Sequence, residues 1–281
     1  LAKAGIIIIS VDWNRYWMFK DELDNHAHKG IPEIIKKVIA YLEWETQTIQ
    51  SWFKGNVDLR RLGLMGHSTG GAGVLVTAIQ LRGLIKAVGV IAPTCPNKDA
   101  SDPNVPDPPC FEGWNPPQNI PILVIHGTHE HHCQVGRFPK DVYCGATPPK
   151  HLIVITGANH FGYTDDICME PDVDKPVDCA SVPPDTLYKD WNGWDNPSMV
   201  GGLEMRAAQI LQQRAAGNYL RAFFMHYLKV PNSAGYINYL IQKSGSCECS
   251  DTTKFLTGKD PHNPFADLRA MDVEVKMCSE Q

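Results

Sequence analysis

Continuous apolar segments alternate with helical patterns along most of this chain, and this alternation limits the folds available to it. Each segment is rich in valine, isoleucine and leucine, which is typical of strands buried on both faces of a parallel sheet. Helical periodicity fills the intervals at residues 31–53, 70–82 and 204–228. The pattern therefore predicts an α/β fold with a mostly parallel central sheet flanked by helices. The predicted strands are residues 5–10, 62–65, 85–92, 120–126 and 151–156.

Residues 66–70, Gly-His-Ser-Thr-Gly, lie between the second predicted strand and a helical stretch of small residues. A strand, a sharp turn and a helix are the context that a G-x-S-x-G nucleophile turn requires. We expect Gly66 and Gly70 to lie so close to neighbouring backbone that a Cβ would clash, and Ser68 to be strained. Its place at a helix N-terminus favours developing negative charge. The alternative is an ordinary Gly/Ser turn, with His67 as a packing or supporting residue.

A serine hydroxyl is a weak nucleophile, so it needs a base that is oriented in turn by an acid. Glu130 follows the fourth predicted strand and His160 follows the fifth. The carboxyl ends of parallel strands meet at one edge of a sheet, which is also where Ser68 is expected. The chain order serine, acid, histidine is that of the fold in which this turn occurs.

These residues give the chain a resemblance to the α/β-hydrolase family over residues 4–229. The branch that it resembles contains dienelactone hydrolases, platelet-activating-factor acetylhydrolases and bacterial cutinases or polyester hydrolases. The resemblance implies Ser68 as nucleophile, His160 as base and Glu130 as acid, although the family usually has aspartate there. It rests on Asp-Leu-Arg-Arg at 58–61, Gly-His-Ser-Thr-Gly-Gly at 66–71, residues 121–128, Gly-Ala-Asn-His-Phe at 157–161 and the closing helix at 219–229. The fallback carboxylates are Asp141, Asp165 and Asp166.

The oxyanion of an acyl-transfer intermediate needs two backbone donors. One is expected to be the amide of Thr69, and no segment resembling the family's second donor loop is found. The resemblance also makes residues 5–10 the fourth strand of the family's sheet, with the third strand between it and residues 62–65. We therefore expect this chain to be the C-terminal part of a longer polypeptide, with an N-terminal fragment of the same precursor completing the sheet.

Nine cysteines are many for a chain of 281 residues, and most lie in polar, proline-rich stretches. Locally spaced cysteines in such stretches indicate disulfides, and disulfides indicate a secreted or periplasmic protein. The odd number leaves at least one thiol over. The cysteines are Cys95, Cys110, Cys133, Cys144, Cys168, Cys179, Cys247, Cys249 and Cys278.

A histidine-rich stretch raises the alternative of a metal site, since imidazole and thiolate are good zinc ligands. Its members are His126, His129, His131, His132 and Cys133. Adjacent residues rarely aim both side chains at one ion, and no second cluster of ligands is obvious, so a metal site is not favoured. The acidic residues 165–178 lack the spacing of a calcium-binding loop and are read as solvated.

Composition excludes two classes of partner. The net charge is −5 and there is no basic run, so nucleic acid is not expected as a partner. No apolar run reaches the about 18 residues of a transmembrane helix. Residues 1–230 are expected to form a catalytic domain with long loops at 93–121 and 162–202, and residues 231–281 a cysteine-containing extension.

The sequence thus predicts a serine hydrolase that cleaves carboxylic esters without a cofactor. The loop residues Trp114, Trp191 and Trp194 are either acyl-cleft residues or ordinary loop packing. Thr94 follows the strand where polyester hydrolases typically carry a stacking tryptophan, so a polyester substrate is not favoured. Two alternatives stay open, namely cleavage of an amide, lactone or thioester at the same site, and an inactive binding protein of hydrolase fold.

Overall fold

The computed structural model describes residues 2, 5–11, 27–94, 116–129, 138–163, 168–169, 176–177, 187–189, 199–231, 233–241 and 275–280. The helices are α1 (Ala27–Gln47), α2 (Thr69–Gln80), α3 (Phe138–Gly145), α4 (Gly202–Tyr227) and α5 (Tyr236–Ile241). Short 3-10 helices occupy Leu59–Arg61 and Phe161–Tyr163. The strands are β1 (Leu62–His67), β2 (Ile85–Ile91), β3 (Ile122–His129), β4 (Lys150–Asn159), β5 (Cys168–Met169), β6 (Pro176–Val177), β7 (Leu187–Lys189), β8 (Met199–Gly201) and β9 (Val275–Glu280).

The main sheet has the strand order β1-β2-β3-β4-β9. The first four strands are parallel, and β9 runs antiparallel to β4. Helices lie on both faces, so the predicted α/β class, with its mostly parallel sheet flanked by helices, is confirmed. Two small antiparallel pairs, β5-β6 and β7-β8, lie within the long stretch at 162–202.

Alternate residues of the central strands face opposite layers. Ile122 and Val124 of β3 belong to a core shared with α2 and α3. Leu123 and Ile125 belong to a second core, which is shared with α4 and α5 and includes Phe223. Burial of each such side chain contributes about 1.5–3 kcal/mol. The two cores fix the sheet between its helices and hold its carboxyl-terminal edge in place.

The first predicted strand is not formed. Residues 5–11 have no strand assignment, and Ile7, Ile8 and Ile9 are 40%, 51% and 43% exposed. Ile6 alone packs against the core on the α4 side. A strand needs a hydrogen-bonded neighbour, and none of the described residues pairs with this segment or with the outer edge of β1. Direct pairing of residues 5–10 with 62–65, the arrangement that would contradict an interposed strand, is therefore not seen.

The other elements differ from the sequence prediction mainly at their ends. Helix α1 ends at Gln47, where the Thr48 side chain donates to the Trp44 carbonyl, whereas the periodicity suggested continuation to residue 53. The short elements α3, α5 and β9 were not predicted. Within the described ranges, no helix is both long and apolar enough to cross a membrane.

Candidate active site

Ser68 occupies the sharp turn between β1 and α2. Its φ of 55° and ψ of −125° lie outside the regions that a residue with a side chain normally adopts. Two backbone bonds hold this conformation, from Ser68 N to the Ile91 carbonyl at 3.0 Å and from Thr94 N to the Ser68 carbonyl at 3.1 Å. Such strain costs about 1–3 kcal/mol and persists only where the surroundings enforce it. The expected strained turn is therefore present.

The crowding expected at the two motif glycines is found at only one of them. A Cβ on Gly66 would lie 2.2 Å from the Gly70 carbonyl oxygen, so the turn needs glycine there. A Cβ on Gly70 would meet nothing within 4 Å, so the prediction for Gly70 is wrong. The second crowded position is Gly71, whose Cβ would lie 2.9 Å from Pro93 Cβ. The close contact between helix α2 and the segment after β2 therefore lies at Gly71, one residue later than the motif suggested.

His160 lies next to Ser68, although two strands separate β1 from β4 in the sheet. It directly follows β4, and its Nε2 is 2.8 Å from Ser68 Oγ. The Ser68 side chain makes no capping bond to helix α2, so its hydroxyl is directed to the imidazole instead. His160 itself is only 6% exposed. The fold thus brings together the two residues that sequence analysis selected as nucleophile and base.

Burial keeps the imidazoles of this region neutral. It lowers the pKa of His160 to about 4 and that of His67, whose ring lies beside His160, also to about 4. The nearby His160 contributes less to the lowering at His67 than burial does. A neutral imidazole that accepts the Ser68 hydroxyl proton at Nε2, as a general base must, carries its own proton on Nδ1. That Nδ1–H requires an acceptor, which is the place where a carboxylate acts in a triad.

The acid cannot be placed from the described residues. Glu130 directly follows β3 and lies outside them, as do Asp165 and Asp166. Asp141 is described, and it is an exposed residue in the first turn of α3. Thr69 is the first residue of α2, so its amide lies at the helix N-terminus directly after the serine. Trp114, Trp191 and Trp194 also lie outside the described residues.

His67 makes contacts that the sequence did not reveal. Its Nε2 is 2.8 Å from the backbone oxygen of His160, and the two rings pack with their centroids 4.8 Å apart. Tyr163, from the 3-10 turn after His160, lies 5.9 Å from the His67 ring. The expected packing role is therefore only part of its environment, since His67 also holds the loop that carries His160.

His126 is the buried member of the histidine-rich stretch. It lies near the end of β3, is 3% exposed, and neither ring nitrogen has a hydrogen-bond partner in the part of the chain that is described. Burial, with a smaller effect of His160, lowers its pKa to about 3. Among the described residues, no group of three or more His, Cys, Asp or Glu side chains is placed to hold a metal ion. His131, His132 and Cys133 lie outside those residues.

The described residues include three of the nine cysteines. Cys144, on α3, is disulfide-bonded. Cys168 lies in β5 and Cys278 in β9. The other cysteines that the sequence analysis named lie outside the described residues.

No protein-family model matches the chain. A cutinase, est2 of Thermobifida alba, is 27% identical to it over 163 residues, which are 57% of this chain and 45% of that protein. The matched region thus spans less than half of the relative's length. Together with the parallel sheet and the turn at Ser68, this similarity supports an α/β-hydrolase-like chain and does not identify a branch within that family.

Proposed function

We propose that this chain belongs to a serine hydrolase that cleaves carboxylic esters through an acyl-enzyme. The observation that carries the proposal is the 2.8 Å contact between Ser68 Oγ and His160 Nε2 at a strained strand-to-helix turn. Similarity to a protein named as a cutinase favours an ester over other acyl substrates. The reaction needs no cofactor.

In the proposed reaction, Ser68 attacks the acyl carbon while His160 accepts the hydroxyl proton at Nε2. The ester carbonyl becomes an oxyanion, which the amide of Thr69 stabilises at the N-terminus of α2. Imidazolium then donates its proton to the departing alkoxide, and the C–O bond to the alcohol breaks. Water, deprotonated by His160, attacks the acyl-enzyme; the acyl–Oγ bond then breaks, the imidazolium returns its proton to Ser68 Oγ, and the carboxylic acid is released.

We assign the third role to Glu130, at the end of β3. A buried imidazole with a pKa of about 4 is a weak base, and a carboxylate at Nδ1 would stabilise its protonated form. Strand β3 runs parallel to β4 and therefore ends at the same sheet edge as Ser68 and His160, which is where such a carboxylate is needed. A glutamate suits this position as well. Its side chain is one methylene longer than that of aspartate, so its backbone can lie slightly further from the imidazole.

We also propose that a further strand pairs with the outer edge of β1 and that an N-terminal part of the same precursor supplies it. Met65 of β1 is 46% exposed, and Ile7, Ile8 and Ile9 are 40%, 51% and 43% exposed. Among the described residues no strand pairs with this edge of β1, and exposed apolar residues there favour a further strand, because parallel sheets are normally buried on both faces. Such a segment is where a second oxyanion donor would arise. The cysteine usage and the disulfide at Cys144 favour a secreted or periplasmic enzyme.

A matched panel of p-nitrophenyl esters and p-nitroanilides of the same acyl groups tests this proposal. We expect ester hydrolysis well above anilide hydrolysis, with the activity lost in both Ser68→Ala and His160→Ala. Preference for the anilides would contradict the ester assignment. Ester hydrolysis that survives in Ser68→Ala would contradict the site itself, and folded wild-type protein inert to the whole panel would favour a binding protein.

A further inference from the structure

The residue before the nucleophile holds the residue that serves as base. His67 ends β1, and its Nε2 lies 2.8 Å from the backbone oxygen of His160. His160 Nε2 in turn lies 2.8 Å from Ser68 Oγ. These two hydrogen bonds, with the backbone from His67 to Ser68, form a closed ring that joins the turn to the loop after β4. The turn and the loop are far apart in sequence, so their relative position depends on such contacts.

The bond to the carbonyl and the proposed role of His160 as base together define the proton on each ring. A carbonyl oxygen only accepts, so His67 must carry its proton on Nε2 and donate. As the base, His160 accepts the Ser68 hydroxyl proton at Nε2 and therefore carries its own proton on Nδ1. The two packed imidazoles are thus opposite tautomers. A neutral His67 is needed, because a positive charge there would oppose the imidazolium that His160 forms during the reaction.

We infer that His67 is a positioning residue that sets the distance between Ser68 and His160 by binding the His160 carbonyl. This role rests on the proposed function of the same site. The ring packing of His67 against His160 and Tyr163 restricts the same loop from the side, while the hydrogen bond restricts it along the sheet edge. Loss of the bond leaves the base free to move away from the serine hydroxyl.

The effect on rate follows from how steeply proton transfer depends on geometry. A displacement of about 1 Å costs on the order of 10²-fold in rate. His67 is inferred to act through His160 and not on the ester, so its loss should lower kcat and leave KM nearly unchanged. A residue that only stabilised the fold would lower the fraction of folded protein and leave kcat per folded molecule unchanged.

Two variants that differ by one methylene separate these roles. In His67→Gln, the side-chain amide reaches the His160 carbonyl and donates in place of Nε2, whereas in His67→Asn the amide is too short. The measurement is the rate of reaction with a fluorophosphonate, with kcat and KM on a p-nitrophenyl ester, each corrected for the folded fraction. We expect His67→Gln to stay within about tenfold of wild type and His67→Asn to fall about 10²-fold in kcat and labelling rate.

His151→Asn is the matched control. It removes another buried imidazole with a 2.8 Å bond, to the Tyr227 hydroxyl, on the α4 side of the sheet. We expect it to lower stability and to keep the wild-type labelling rate. Equal rates in His67→Gln and His67→Asn would overturn the positioning role. The hydrolase assignment would still be supported in that case if wild-type protein is labelled at Ser68. Absence of labelling in folded wild-type protein would instead overturn the proposed function.

Discussion

The glycine before His67 offers a sharp test of how the turn at Ser68 is built. In Gly66→Ala, the new Cβ would lie 2.2 Å from the Gly70 oxygen, 2.4 Å from the Gly70 carbonyl carbon and 2.7 Å from Gly71 N. All three are backbone atoms, so no side chain can rotate away. An unstrained C···O contact is about 3.3 Å, so the turn must open by roughly 1 Å.

That opening moves Ser68 relative to His160, and it also weakens the packing of the turn. A 1 Å displacement of a reacting group costs on the order of 10²-fold in rate. Overpacking costs about 1–3 kcal/mol, and here it falls on rigid backbone, so we expect a value near the upper end. Gly66→Ala should therefore react with a fluorophosphonate about 10²-fold more slowly and unfold at a lower urea concentration.

Gly70→Ala is the matched control within the same motif. Its Cβ meets nothing within 4 Å, and the position is helical, so alanine should stabilise the protein by up to about 1 kcal/mol. The assays are urea unfolding for stability and intact mass against time for the labelling rate. Wild-type stability and labelling in Gly66→Ala, or equal destabilisation by the two alanines, would refute this account of the turn.

Three further predictions concern titration and the acid. Burial lowers the pKa of His160 to about 4, and the proposed Glu130 carboxylate partly opposes this shift, so the acid limb of kcat/KM should lie below pH 6.5. A limb above pH 6.5 would contradict this. Glu130→Gln should lower kcat by about 10²-fold or more and move the acid limb to lower pH. An unchanged pH–rate profile would show that Glu130 is not the acid of this site. The pKa of His126 falls from 6.5 in the unfolded chain to about 3 in the fold, so the unfolded state binds the proton first and stability falls as pH drops through that window. Its share should be about 2 kcal/mol between pH 7 and pH 5. Urea unfolding at pH 7 and pH 5 should show that the free energy of unfolding changes less with pH in His126→Leu than in wild type. An equal change in the two proteins would contradict a neutral buried His126.

The parts of this molecule that sequence could predict are those whose signals are local. The apolar runs within β2 and β4 predict strands by composition, and the Gly-His-Ser-Thr-Gly motif between a strand and a helix predicts the turn at Ser68. The same local reasoning was wrong at Gly70, because crowding depends on where Pro93 lies in space and falls on Gly71 instead.

Long-range partners account for the features that the sequence did not predict. Strand β9 pairs Cys278 with Leu152, and its short sequence mixes polar and apolar residues as an antiparallel edge strand does. The contact of His67 with His160 joins residues 93 positions apart. The apolar run at 5–10 has the composition of a strand, but the predicted strand is not formed, because a strand also requires a hydrogen-bonded neighbour and the described residues provide none.

The central claim is that Ser68 is a nucleophile activated by His160, and intact mass after fluorophosphonate treatment tests it most directly. Natively purified protein should gain a single adduct, while Ser68→Ala gains none and His160→Ala reacts far more slowly. The same spectrum, recorded with and without reduction, would reveal a second fragment attached to this chain. A well-folded wild-type sample that gains no adduct, or a Ser68→Ala sample that still gains one, would contradict the account.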